Sequence, residues 1–236
     1  MPCWVLVHSP LVGPGTCLPL ADALQQRHCS VVVPTLDDAE DVTAPYWRQH
    51  VASVVRGLEA VPIEQPLVLV GHSGAGPLLP EIGRQTHRPV TAFVFMDAGL
   101  PHGGRSRLGE MAATDRAFAV QFGEQLACDG RYPTWTDEQL RVVIPDARRR
   151  QQLLNELRPR GLPFFSEPLP IVTHWPDAPC AYLRFSPAYD RPAAQARKAG
   201  WPVRTFDGGH FHMLVDPTAV AVMLLDIVEE ALRACG

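Results

Sequence analysis

Leu67-Val68-Leu69-Val70-Gly71-His72-Ser73-Gly74-Ala75-Gly76 is an apolar run that ends in a serine set among small residues. An unbroken run of Leu and Val fits a strand covered on both faces, as in a parallel sheet flanked by helices. The small residues that follow suit a tight turn from strand into helix. Such a turn strains its central residue and lifts the Ser73 hydroxyl above the sheet. The positions two before and two after the serine crowd each other, and here they are Gly71 and Ala75, a GxSxA pattern. Pro77 suits a first helical turn, whereas Pro80 should remove a hydrogen bond and kink the helix.

Working outward, Trp4 to Val7, Val31 to Val33, Thr91 to Met96, Ala181 to Phe185 and Pro202 to Phe206 read as further strands. Helices are expected at 17–27, 44–60, 75–87, 190–199 and 217–234. This alternation predicts an α/β fold: a doubly wound, mostly parallel sheet of six strands with helices on both faces. The interval 99–179 breaks the rhythm, with helical stretches near 106–128, 136–143 and 145–158 and a Pro- and aromatic-rich tail over 159–179. It is too long for a loop. The expected organisation is a core of residues 1–98 and 180–236 with a helical cap inserted at 99–179, over the strand ends where open α/β sheets bind ligands.

The chain has 236 residues, of which 46% are hydrophobic and 19% charged, enough for a core and against disorder. A net charge of -4 lacks the basic footprint of a nucleic-acid binder. No run approaches the roughly 20 apolar residues of a membrane span, and the first residues do not read as a signal peptide. A cytoplasmic location, a small-molecule substrate, no nucleic acid and no membrane partner are expected, with a homodimer left open. The basic residues include a single lysine, Lys198, a bias of GC-rich coding. Six scattered cysteines (Cys3, Cys17, Cys29, Cys128, Cys180, Cys235) carry no CxxC pair, so they read as small buried hydrophobes in a reducing compartment. With no metal-ligand cluster and no phosphate-binding glycine loop, no cofactor is expected. Arg148-Arg149-Arg150 reads as a solvated helix face.

A serine nucleophile needs a base, and that base needs a carboxylate to fix its tautomer. His210, in Asp207-Gly208-Gly209-His210 after the last strand, falls at the same sheet edge as Ser73, and His212 is its rival. Asp190 follows the fifth strand by the turn Ser186-Pro187-Ala188-Tyr189 and gives the chain order Ser73, Asp190, His210. Asp97, at the end of the fourth strand, is the alternative.

With these residues in place, the sequence resembles the α/β-hydrolase superfamily, in its compact single-domain branch of plant hydroxynitrile lyases and methyl-ester esterases. The first strand leads into His8, and His210 is followed by Met213, Leu214 and Pro217, as in that branch. That alignment favours His210 over His212. The resemblance implies an oxyanion hole built from the Gly74 N–H and a second N–H from the loop after the first strand. At the matching position stands Pro10, which has no N–H. The second donor then shifts to Leu11 or Val12, or to the Ser9 side chain, or is missing. The leading expectation is a serine hydrolase of small or medium esters, thioesters or lactones, with Val12, Trp135, Phe164, Phe165 and Trp175 lining its substrate pocket. Two others follow from Pro10 and from the fold. One is a lyase, cyclase or acyltransferase using the same residues; the other is a slow-turnover, ligand-sensing receptor.

Overall fold

The computed structural model describes residues 1–39, 43 and 45–235, the last without its side chain. The expected strands are all present. They are β1 (Cys3–Val7), β2 (Ser30–Val32), β3 (Leu67–His72), β4 (Val90–Met96), β5 (Cys180–Arg184) and β6 (Val203–Thr205). Every pairing is parallel, in the order β2-β1-β3-β4-β5-β6. The helices of the α/β layers are α1 (Leu18–Gln25), α2 (Tyr46–Gly57) and α3 (Leu79–Thr86). Between β4 and β5 come α4 (Arg107–Thr114), α5 (Arg116–Ala127), α6 (Asp137–Arg141), α7 (Ala147–Asn155) and α8 (Leu162–Ser166). The chain ends with α9 (Asp190–Lys198), α10 (His212–Val215) and α11 (Pro217–Cys235). Residue 44, where the second helix was expected to begin, lies outside the described residues, as does the Cys235 side chain. No helix among the described residues is long and apolar enough to cross a membrane.

The period of two along a strand sorts side chains onto two faces. Leu6, Val68, Val70, Val94 and Leu183 point to a core shared with α1 and α11, while Val5, Leu69, Phe93, Phe95 and Tyr182 point to one shared with α2, α3 and α9. β3 is buried on both faces, which is why it reads as a continuous apolar run. Burying a Val, Leu or Phe contributes roughly 1.5–3 kcal/mol each, so both faces of the sheet contribute heavily to stability. The segment between β4 and β5 is not uniform. Leu140, Ile144 and Leu153 join the first core, and only Phe122, Leu126, Phe164 and Phe165 form a cluster of their own.

Local chemistry explains the departures from the sequence expectations. The stretch expected as one helix over 106–128 is two, because the Asp115 carboxylate accepts the Phe118 N–H and caps a new helix there. Pro80 does not kink a helix. Residues Ser73–Leu78 form a 3-10 helix, α3 starts only at Leu79, and Pro80 therefore falls in its first turn. Arg150 is buried, bonded to Asp137 at 2.6 Å and to the Ile144 carbonyl, so the arginine run is not a uniformly solvated face. Cys3, Cys17 and Cys180 are buried, but Cys29 is half-buried and Cys128 exposed.

Candidate active site

Strand order reverses between β1, which connects outward to β2, and β3, which begins the march to β6. Ligands of open α/β sheets bind in the crevice at such a switch point, beyond the carboxyl ends of the strands. Residues 8–11 after β1 and 73–74 after β3 meet there. Ser73 has φ of +58°, a left-handed conformation uncommon for a residue with a side chain. The turn holds because its neighbours are small. A Cβ on Gly71 would meet Leu79 at 3.0 Å, and one on Gly76 would lie 2.2 Å from the Gly99 carbonyl oxygen. The strictest demand for glycine thus falls at Gly76, against the turn after β4, while Ala75 is fully buried without conflict.

His210 stands on the loop between β6 and α10, and its Nδ1 is 2.7 Å from Asp97 Oδ2. The expected pairing of His210 with Asp190 is therefore corrected. Asp190 is the first residue of α9, its side chain is 64% exposed, and it binds Arg184 at 2.6 Å. Asp97 is fully buried immediately beyond β4, with φ of +43°. Asp97 Oδ1 accepts the Phe185 and Ser186 N–H groups at 2.8 and 2.9 Å, and Oδ2 accepts the Ser186 hydroxyl at 2.6 Å besides His210. Burial alone would push this carboxyl up, but the hydrogen bonds from His210 and Ser186 outweigh it and hold it below the usual carboxylate range. An ionised, fully satisfied carboxylate therefore faces His210 Nδ1, which keeps the proton on that nitrogen and leaves Nε2 as the acceptor.

His212 sits elsewhere. Its ring packs on Phe206 and Phe185, centroids 4.1 and 5.8 Å away. His72, buried behind Ser73, donates from Nε2 to the His210 carbonyl at 2.9 Å and fixes the backbone of that loop. Burial, with the His210 ring 4.4 Å away, pushes His72 down to about 3, so it stays neutral. Ser73 Oγ makes its hydrogen bond with Tyr189 Oη, at 3.1 Å, and the Tyr189 ring stacks on His210 with centroids 5.1 Å apart. Tyr189 and Ser186 carry no signal of their own in the sequence; only the turn after the fifth strand marked their place.

Above Ser73 opens a cavity of about 450 Å³. Pro10, Leu11, Ser73 and Gly74 line its floor, and Leu100, Met111, Phe118, Phe164, Phe165 and Leu169 its walls. Polar groups on its lining are largely engaged with one another, as in His102–Glu110 at 3.2 Å and Arg191–Thr114 at 2.6 Å. Phe164 and Phe165 stand where a substrate pocket was expected to place them. Val12, Trp135 and Trp175 do not, and the expectation is corrected for each. Val12 is buried in the first core, Trp135 packs on Phe211 and Tyr132, and Trp175 packs on Phe93, Phe95 and Trp201 against the second core. In the loop after β1 the Leu11 N–H is directed at Ser9 Oγ (3.3 Å) and the Val12 N–H at the Ser9 carbonyl (3.1 Å). The Gly74 N–H opens the 3-10 helix, where first-turn donors lack upstream partners.

A model of the alpha/beta hydrolase family matches residues 4–222, nearly the whole chain. The chain belongs to the alpha/beta hydrolase family. Solved structures place the hydrolase in the same fold. It is similar to an extracellular alpha/beta-hydrolase from a Paenibacillus species, described as sharing structural and functional homology with tobacco Salicylic Acid Binding Protein 2. That match has 19% identity and a TM-score of 0.76 over 96% of this chain and 99% of the other. The methylesterase MES16 from Arabidopsis matches at 17% identity and a TM-score of 0.68, over 97% and 99% of the two chains. Tomato Methylketone Synthase I, complexed with 2-tridecanone, matches at 13% identity and a TM-score of 0.69, over 98% of each. No curated protein matches the sequence.

His8, at the end of β1, ties this edge together and makes it acid-sensitive. Its Nδ1–H donates to the Ser9 carbonyl at 2.9 Å, and its Nε2 accepts the Leu36 N–H at 3.2 Å. The second bond requires the neutral ring, because a protonated Nε2 cannot accept. Burial pushes the ring down to about 4, with the Ser9 carbonyl pulling weakly the other way. In the unfolded chain a histidine titrates near 6.5, so between pH 6.5 and 4 the unfolded state binds the extra proton and stability falls with acid. The interval is worth about 3 kcal/mol. Urea midpoints should fall steadily from pH 7 to pH 4, and His8→Gln should flatten part of that fall. Equal slopes for the two proteins would contradict the assignment.

Proposed function

We propose that the hydrolase cleaves carboxylic esters, thioesters or lactones with an apolar acyl or alcohol part, through an acyl-enzyme on Ser73. The observation that supports this reading most is the buried Asp97–His210 pair beside a strained serine that opens into an apolar cavity. In this reading Ser73 Oγ attacks the carbonyl carbon and its proton passes to His210 Nε2, while Asp97 stabilises the imidazolium. The tetrahedral adduct collapses and the leaving alcohol or thiol takes the proton from His210. Water then attacks the acyl-enzyme, giving its proton to His210, which returns it to Ser73 as the carboxylic acid departs. Residues 99–118 and 164–169 wall the cavity, and their apolar side chains select the chain.

A fluorophosphonate with intact-mass and peptide readout tests this. One adduct, on Ser73, together with turnover of butyryl to octanoyl esters, is the expected result; modification elsewhere or none at all would sink the proposal. A lyase or acyl-transfer outcome is the second reading, favoured by Pro10 and by the Leu11 N–H being directed at Ser9. An alcohol acceptor that competes with water for the acyl group, or turnover of a substrate without an acyl bond, would single it out.

A further inference from the structure

We propose that the Tyr189 phenol is the second oxyanion donor of this site, standing where the first loop supplies no N–H. The inference rests on Ser73 being the nucleophile. Pro10 has no N–H, and its ring Cδ lies 3.4 Å from where a Cβ on Gly74 would be, so the pyrrolidine packs directly against the turn after the serine. The next two N–H groups turn inward, Leu11 to Ser9 Oγ and Val12 to the Ser9 carbonyl. That leaves Gly74 as the backbone donor. A tetrahedral adduct stabilised by a single donor is disfavoured by a factor on the order of 100 to 1,000.

Tyr189 offers a donor beside Ser73. Its Oη is already 3.1 Å from Ser73 Oγ. The oxyanion grows on the carbon that bonds to Oγ, so a donor within reach of Oγ meets it after a small rotation. The phenol is also held in place. Its ring lies nearly parallel to His210, at 8°. Its turn, Pro187–Tyr189, starts from Ser186, whose N–H and hydroxyl both bind Asp97. One carboxylate therefore positions both His210 and the turn that presents the phenol. Burial holds the phenol above the usual tyrosine range, with its bond to Ser73 pulling the other way, so it carries its proton throughout the working pH range. In the step itself the Oγ–C bond forms, the carbonyl π pair moves onto oxygen, and the Oγ proton goes to His210. Tyr189 gives a hydrogen bond and keeps its proton.

Tyr189→Phe keeps the stacked ring and deletes only the oxygen. With p-nitrophenyl butyrate, kcat should fall about 100- to 1,000-fold while KM changes little. An alkyl trifluoromethyl ketone, which adds to Ser73 as a hemiketal oxyanion, should bind weaker by a similar factor. Butyrate, a ground-state product, should inhibit both proteins alike. Activity and ketone binding within about threefold of the parent would overturn the proposal. So would equal weakening of ketone and butyrate, which marks a packing role, or a Ser9→Ala variant that carries the loss instead. If the parent protein neither labels at Ser73 nor hydrolyses the ester, the nucleophile reading fails and this inference falls with it. Labelling and turnover in the parent with a silent Tyr189→Phe would remove this inference alone.

Discussion

Replacing either Ser73 or His210 by alanine should lower kcat for ester hydrolysis by about 10⁶-fold, and replacing both should lower it no further. In the proposed mechanism the two act as one proton-transfer unit, so neither contributes once the other is gone. Neither change should unfold the protein. Alanine at Ser73 keeps the same backbone strain and adds no bulk, and the His210 loop stays tied by the bond from His72 to the His210 carbonyl. His212→Ala is the control. Its ring packs on Phe206 and Phe185, so removing it should cost stability and leave most of the rate. Steady-state kinetics on a butyryl ester with thermal midpoints for all four variants gives the answer. A His210→Ala protein with more than about a hundredth of the parent rate would remove His210 as the base.

Asp97→Asn should cost about 10⁴-fold in kcat, whereas Asp190→Asn should stay within about twofold of the parent. The asparagine carbonyl can still accept the Phe185 and Ser186 N–H groups, so the fold survives. Its amide nitrogen then faces His210 Nδ1 and donates where the carboxylate accepted. That stabilises the tautomer with the proton on Nε2, which cannot take the Ser73 proton. Asp190 pairs with Arg184 while largely exposed, and an exposed ion pair of this kind is worth little. The contrast is read from kcat and from the rate of fluorophosphonate labelling, which depends on the same base. The reverse result would return the acid to the position after the fifth strand.

The two candidate acids show why sequence order alone left the choice open. Ser73, Asp97, Asp190 and His210 lie in that order, so either aspartate gives a Ser-Asp-His sequence. The difference is geometric. Asp97 follows β4 directly, and the carboxyl end of β5 brings two N–H groups and the Ser186 hydroxyl onto it. Asp190 lies a full turn beyond β5, at the start of α9, where its side chain meets Arg184 and solvent.

The order of the elements, the parallel sheet and the serine turn followed from the sequence because each rests on a local rule. Two-sided burial writes a continuous apolar run, and a crowded turn demands small residues within a few positions of the serine. Tertiary structure alone decided which carboxylate meets His210, why Tyr189 faces Ser73, and why Phe164 and Phe165 wall the cavity while Trp135 and Trp175 do not. Those side chains sit on loops and short helices, where no period of two or of 3.6 ties a residue to a face. Their directions are set by contacts between distant parts of the chain, such as Asp97 with His210, Tyr189 with Ser73 and Trp135 with Phe211. Such contacts leave no trace in any short stretch of the chain.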